Sequence, residues 1–332
     1  MDKRLAGTGV MSRHCFGHKG KWILQLWDSG RLGNQMVDMV NYRAIEIEHN
    51  VGIVGWHFLV HGLWGITPRF QILGNSGVMG LKILGYRLRW TRNHKQARRI
   101  ASIVKWSLDL VHRVLGVRIV ASEEDGEYFG LKSEWLVPKE QVLTYGLSGM
   151  NRFVFMWCSG LRDWRSVEIH LAEVRKRVLK DLGLDKVIRD RWQLFVHIRQ
   201  GDFVKGYPLL NAEEDEWLTR ISQIVTEEGI KKVVVSSDGE LNSEKWLSHL
   251  TSLGKGENQI VSSFYVGRAG QETTARSIVS EMVKSRVVLG NGSTLSMISS
   301  LLAGSKYVHV KDSRIVEWRR WVYTYPYNVN WR

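Results

Sequence analysis

From residue 193 to residue 310 the chain alternates short apolar runs with stretches of helical period, and this alternation constrains its fold most. Residues 193–198 (QLFVHI), 232–236 (KVVVS), 259–264, 287–290 and 307–310 read as strands. Residues 211–228, 273–284 and 294–303 read as helices between them. Strand, helix, strand in succession calls for crossover connections, so the expected fold class is α/β, a parallel sheet with helices on both faces.

The first half carries a related signal. Residues 22–27 (WILQLW) suit a strand, and a Gly-containing break follows at 28–33. Residues 34–48 then place Met36, Val40, Ala44 and Ile47 at helical spacing. Strand, glycine turn and helix in that order open a Rossmann-like layer. Residues 82–118 hold ten Lys/Arg and one acidic residue, Asp109. Ala97, Ile100, Val104, Leu108, Val111 and Leu115 recur there at helical spacing, which predicts an amphipathic helix with a basic outer face. The acidic run 123–127 reads as an exposed turn. Residues 167–182 read as one further helix stopped by Gly183. The domain boundary is placed just beyond it, giving an N-terminal domain over 1–185 and a C-terminal domain over 186–332. The tail after about 311 could pack back on the first domain.

Composition narrows the function classes. Of 332 residues, 44% are hydrophobic and 24% charged, as in a packed globular protein. Two Cys exclude a disulfide scaffold, and no Cys/His cluster offers a zinc site. The most apolar window, 51–66, is interrupted by His57 and His61 and is too short to span a bilayer. No signal-peptide pattern stands at the N-terminus. The expected location is cytoplasmic, soluble or peripheral at a membrane surface. The formal charge of +14 suits nucleic acid, an anionic membrane or a phosphorylated substrate. No nucleic-acid-binding motif accompanies it, so no nucleic acid is expected as a partner, and a basic nucleic-acid-binding protein using the 82–118 stretch stays the alternative from another class.

Four strand-end clusters carry candidate chemistry. The first, Gly30-Arg-Leu-Gly33-Asn34-Gln35, joins the first strand to its helix; it suits an anion at a helix N-terminus, or simply tight packing. GxGxxG is absent, which removes the dinucleotide reading. The second, Val196-His197-Ile-Arg199-Gln-Gly-Asp202, puts His197 and Arg199 on one face at a strand's C-terminal end, where open α/β sheets bind ligands. Arg offers phosphate a planar fork of donors, and Asp202 either orients it or accepts from a sugar hydroxyl. The third, Asn291-Gly-Ser293-Thr294, stands at a helix start, where hydroxyls cap the helix or its N–H groups hold phosphate. The fourth is Ser236-Ser237-Asp238-Gly239, where a carboxylate receives a guanine edge or caps the next helix.

In this order and spacing, GRLGNQ, VHIRQGD, VVVSSD and GNGSTLSMISSLLAG resemble the α-1,2-fucosyltransferase family (glycosyltransferase family 11). They are also similar to the protein O-fucosyltransferases and α-1,6-fucosyltransferases. The motifs bracket residues 30–304. The resemblance implies a GT-B architecture, two Rossmann-like domains facing a cleft, with GDP-fucose held mainly by the second. It implies an inverting, metal-independent transfer to a hydroxyl of a glycan or glycolipid, with no cofactor. Arg199 would hold the β-phosphate and His197 would lie near diphosphate and ribose. Asp238 would face guanine, with Ser237 and Asn291 beside the nucleotide. Ser293 and Thr294 would complete the phosphate cradle, and Asn34 would reach the reacting centre from the N-terminal domain. Asp38, one turn beyond Asn34, and Asp202 are alternative bases. The chain departs from the family at Gly239, where many relatives have a second acid, and at Met297 and Ile298, where many have paired Trp. Another GDP-sugar as donor therefore stays open. The 82–118 stretch could contact an anionic membrane carrying the acceptor.

Overall fold

A computed structural model describes residues 21–25, 32–55, 106–128, 131–158, 162–200, 212–254, 261–266 and 272–311. The chain divides into two compact units. Among described residues, 21–25, 45–55, 106–128 and 131–158 form the first, and 32–44 with all those from 162 onward form the second.

The first unit holds a five-stranded sheet of β1 (Trp22–Gln25), β2 (Gly52–Gly55), β3 (Arg118–Ser122), β4 (Leu136–Val137) and β5 (Phe153–Trp157). The order is β2-β1-β5-β3-β4 and every pairing is parallel. Ile23, Ile53, Val154 and Met156 are buried. A second cluster joins Leu108, Ile119, Ala121, Leu131 and Trp135.

In the second unit, β6 (Asp190–Ile198), β7 (Lys232–Ser237), β8 (Val261–Val266), β9 (Ser285–Gly290) and β10 (Lys306–His309) lie in the order β10-β9-β6-β7-β8. All four pairings are parallel. Counted within the unit the order is 3-2-1-4-5, the doubly wound arrangement, and it reverses between β6 and β9. Strand alternation sorts the core into two faces. Leu194, Val196, Ile198, Val233, Val235, Val287 and Leu289 share one cluster with Trp217, Ile221 and Trp246. Phe195, Val234, Val288 and Tyr307 share the other with Met282 and Leu295. Burial on both faces is why these strands read as continuous apolar runs.

In chain order the helices are α1 (Leu32–His49), α2 (106–115), α3 (Glu123–Tyr128), α4 (Val142–Leu147), α5 (Trp164–Ile169), α6 (Leu171–Asp181), α7 (Glu214–Glu228), α8 (Ser243–Leu253), α9 (Glu272–Lys284) and α10 (Thr294–Ala303). Trp217 and Trp246 place α7 and α8 on the first face of the second sheet; Met282 and Leu295 place α9 and α10 on the other. Helix α10 ends at Gly304 in the left-handed conformation (φ 66°). Arg175 Nε donates to Leu301 O at 2.6 Å and Arg189 to Gly304 O at 3.3 Å, so cations meet the negative end of α10.

Three local readings change. The segment read as one helix over 167–182 is two, α5 and α6, broken at His170; Asp163 caps the first by accepting from Ser166 N. The acidic run 123–127 is the helix α3, with Gly126 buried inside it. The predicted 82–118 helix is described only as α2, since 82–105 lie outside the described residues, and Arg118 already belongs to β3. Its face also differs from the expected stripe: Leu108 is buried, whereas Leu115 is exposed, as are Trp106, Leu110 and Val114. Helical period identifies a stripe but not whether a neighbour covers it.

Candidate active site

The crevice where the second sheet reverses, at the C-terminal ends of β6 and β9, is the ligand position of an open α/β fold. Strand alternation carries His197 and Arg199 onto the face of Phe195, the side covered by α9 and α10. His197 pairs in register with Gly290 of β9 and Ser236 of β7.

Arg199 is fixed from both neighbouring strands. Its backbone N–H donates to Asn291 Oδ1 at 3.2 Å, and Asn291 Nδ2 donates back to Arg199 O at 2.9 Å. This reciprocal pair replaces the ladder where β6 and β9 end, and Asn291 is 1% exposed. The Arg199 guanidinium donates from Nη1 to Asp238 Oδ2, just past β7. Asp238 Oδ1 accepts from Gln200 N at 2.6 Å. Ser237 Oγ accepts from Gly239 N at 3.1 Å and shapes the turn beyond. A side chain at 239 would run into Gln200, whose own Cβ would lie 3.0 Å from the new Cβ. The space beside Gly239 is thus filled by the half-buried amide of Gln200.

His197 is 5% exposed and its Nδ1 has no hydrogen-bond partner. Burial, with help from the Arg199 charge, lowers its pKa to about 3. It is therefore neutral at physiological pH, and the positive charge of this corner belongs to Arg199.

The N-terminus of α10 completes the corner. Ser293 occupies the N-cap position, but its hydroxyl makes no capping bond. Its carbonyl accepts from Ser296 Oγ at 2.9 Å and from Met297 N. Gly292 N donates to Tyr307 OH at 2.9 Å. Thr294 is half-buried. Gly33, in the first turn of α1, sits directly on this helix start. A Cβ there would lie 2.6 Å from Leu295 N and 2.9 Å from its Cα, so only glycine permits the approach. Two helix N-termini converge here, and both carry partial positive charge.

Asn34 and Asp38 follow on α1. Asn34 is half-buried. Asp38 is 1% exposed, and neither carboxylate oxygen has a hydrogen-bond partner. Burial pushes its pKa up to about 7, against the opposing charge of Arg162. Helix α1 is buried all round between Met36 and Ala44 apart from half-buried Arg43, rather than on a single stripe. Two bonds tie it to the helices that follow: Asp163 N, just before α5, donates to Asn41 Oδ1 at 2.7 Å, and Arg43 Nε donates to Asp181 Oδ2, at the end of α6, at 2.8 Å.

Arg199, His197, Asp238, Ser237, Asn291, Ser293, Thr294 and Gly33 therefore gather around neighbouring strand and helix ends of one unit. Gly30 and Asp202 lie outside the described residues, and Gln35 is placed by its backbone alone, in α1. Among the described residues no group of three His, Cys, Asp or Glu could hold a metal ion. Sequence reasoning missed Gln200, Arg162 and the clamp formed by Asn291. The signal for Asn291 was the asparagine directly after a buried strand.

No protein-family model matches the chain, and no curated protein sequence matches it. Solved structures do. POFUT1 in complex with GDP aligns with 12% identity and a TM-score of 0.48 over 88% of this chain and 99% of its own. POFUT1 in complex with GDP-fucose gives 10% identity, a TM-score of 0.45, and 88% and 99% coverage. Arabidopsis thaliana FUT1 in complex with GDP gives 11% identity, a TM-score of 0.41, and 88% and 70% coverage.

Proposed function

We propose that the chain is a glycosyltransferase that moves fucose from GDP-fucose to a hydroxyl of a glycan, α-1,2 to a hexose such as galactose, with inversion and without a metal. One observation carries this reading. Arg199 is clamped backbone and side chain at the sheet reversal, beside a helix start whose capping hydroxyl is unused. Such a corner suits a diphosphate, and the strand-end motifs it is built from are those that resemble fucosyltransferases.

In the proposed reaction the acceptor oxygen attacks the anomeric carbon on the face opposite the diphosphate. The bond to the β-phosphate oxygen breaks, and GDP leaves with the bonding electrons. Negative charge grows on the diphosphate as the sugar becomes oxocarbenium-like. A fixed guanidinium and the α10 N–H groups oppose that charge most strongly in the transition state. Ser293 and Thr294 add hydroxyl donors at the phosphates, and Asn34 faces the reacting centre. The acceptor proton passes to Asp38 or Asp202. Asp38 has a pKa matched to base catalysis near neutrality.

The acceptor is proposed to be a glycan or glycolipid. Contact with an anionic membrane through the 82–118 stretch is supported by its ten Lys/Arg and by the exposed Trp106, Leu110 and Val114. No described helix is long and apolar enough to cross a membrane. Sedimentation with anionic vesicles tests this contact: the protein pellets at low salt and is released at moderate salt, and absence of pelleting at low salt ends the idea.

Calorimetry with GDP and GDP-fucose, followed by GDP-release assays over an acceptor panel, tests the reading. The wild type is expected to bind both, and Arg199→Ala to lose most of the affinity. Absence of binding, or binding unchanged in Arg199→Ala, overturns it.

A further inference from the structure

The resemblance implies that Asp238 meets the guanine base. The geometry points elsewhere. We infer that Asp238 is a positioning residue that aims Arg199 at the diphosphate, rather than a reader of the base; this rests on the proposed GDP-sugar function.

Each carboxylate oxygen of Asp238 is already engaged by the chain. Oδ2 accepts from Arg199 Nη1 and Oδ1 accepts from Gln200 N at 2.6 Å. Asp238 N in turn donates to Ile198 O at 3.4 Å, so the residue is stitched to the end of β6 by backbone and side chain. The pair is mostly shielded: side-chain exposure is 18% for Arg199 and 15% for Asp238. A guanine edge donating N1–H and N2–H takes both oxygens of one carboxylate in a fixed fork. That fork would have to share both oxygens with the bonds already present, on a side chain of which only 15% is exposed, and would draw the carboxylate away from Arg199.

The holding role explains more of the arrangement. An Arg side chain loses most of its rotamer freedom when it is ordered. Ordering it before the ligand arrives moves that cost from binding into folding, which is preorganisation. Asn291 fixes where the side chain leaves the backbone, from β9, and Asp238 fixes where its head points, from β7. Three adjacent strands thus define one guanidinium. Gly239 fits the same picture, since the turn after Asp238 carries no second acid to share the base and is covered by Gln200.

The test separates the two roles by ligand. GDP and inosine diphosphate share the diphosphate, but inosine lacks the N2 amino group that a guanine-reading carboxylate accepts. Affinities are measured by calorimetry for wild type, Asp238→Asn, Arg199→Ala and the double variant. Asparagine keeps the size of the side chain and an oxygen that can accept from Gln200 N, so the fold is retained, which a thermal melt checks. The expected result is a loss of about tenfold in Asp238→Asn, equal for the two nucleotides. The double variant should bind no worse than Arg199→Ala alone, because Asp238 acts through Arg199. Asp238→Glu should recover part of the loss. The Arg199 Nε–H signal in NMR of the ligand-free wild type should be sharp and should broaden in Asp238→Asn, and a signal unchanged by the substitution overturns the inference. A wild-type preference for GDP over inosine diphosphate that Asp238→Asn abolishes, or losses that add in the double variant, overturns this inference alone. A wild type that binds neither nucleotide overturns the function on which it rests, and the inference with it.

Discussion

The two five-stranded sheets share a design and differ in what they do with it. Both are parallel throughout, but the second reverses its order once, between β6 and β9, whereas in the first β5 comes back to lie between β1 and β3. At the reversal of the second sheet the residues just past the strands, Arg199 and Asn291, bond to each other, and a charged pair crosses to β7. In the first unit Lys21, just before β1, is anchored differently. Its ammonium donates to the carbonyls of Leu147, Ser148 and Gly149 at 2.7, 2.9 and 3.0 Å, closing the end of α4. One cation is held by the carboxylate of another side chain at strand ends, and the other is consumed by backbone carbonyls. A buried or bonded charge is therefore not a functional one until its partners are counted.

Substitutions can break this contrast. The largest effect belongs to Arg199→Ala, expected to cost about 10²–10³ in GDP-sugar turnover with the melting temperature little changed, measured by GDP release. Unchanged turnover would make the second corner as structural as the first.

Protonation comes next. Asp38 binds its proton more tightly folded than unfolded, so between about pH 4 and 7 the folded state holds the extra proton and stability falls as pH rises. Asp38→Asn should remove that slope, worth roughly a few kcal/mol, as read by denaturant unfolding across pH. His197 acts in the opposite sense. Its pKa is depressed, so stability is full above about 6.5 and declines as pH falls toward 3. The two slopes overlap between pH 4 and 6.5, so each variant is compared with the wild-type profile.

A smaller effect is expected from Gly33→Ala, which sets a methyl against the backbone of Leu295. It should cost about 1–3 kcal/mol by overpacking and weaken GDP binding, because the two helix starts must part. Smallest is Lys21→Met, about 1 kcal/mol from the lost helix-end bonds, with GDP affinity unaltered. A loss of GDP affinity there would dissolve the contrast between the units.

Legibility followed burial geometry. Strands β6, β7 and β9 are apolar on both faces, so their sequences announced them, and helices α9 and α10 carried clear periods. Strands β3 to β5 escaped notice. β4 has two residues, and β3 and β5 begin on exposed or charged residues such as Arg118 and Phe153. The break at His170 was invisible because the apolar period continues across it. At the site, the candidate residues were visible as polar groups ending apolar strands, but their pairings were not. Asp238 stands 39 residues from Arg199, and no spacing rule says which of Asp202 and Asp238 it meets.

The sequence by itself determined that the second half is a parallel α/β layer and that its strand ends carry the polar chemistry. Periodicity and burial are local properties, and a single strand displays them. Only the tertiary structure decided that β9 and not β8 lies beside β6, which brings Asn291 to Arg199 and the start of α10 to Gly33. Strand order depends on how crossovers close, a long-range outcome written in no single segment. Asp38 marks the same limit: its position on α1 was readable, and its complete burial beside Arg162 was not.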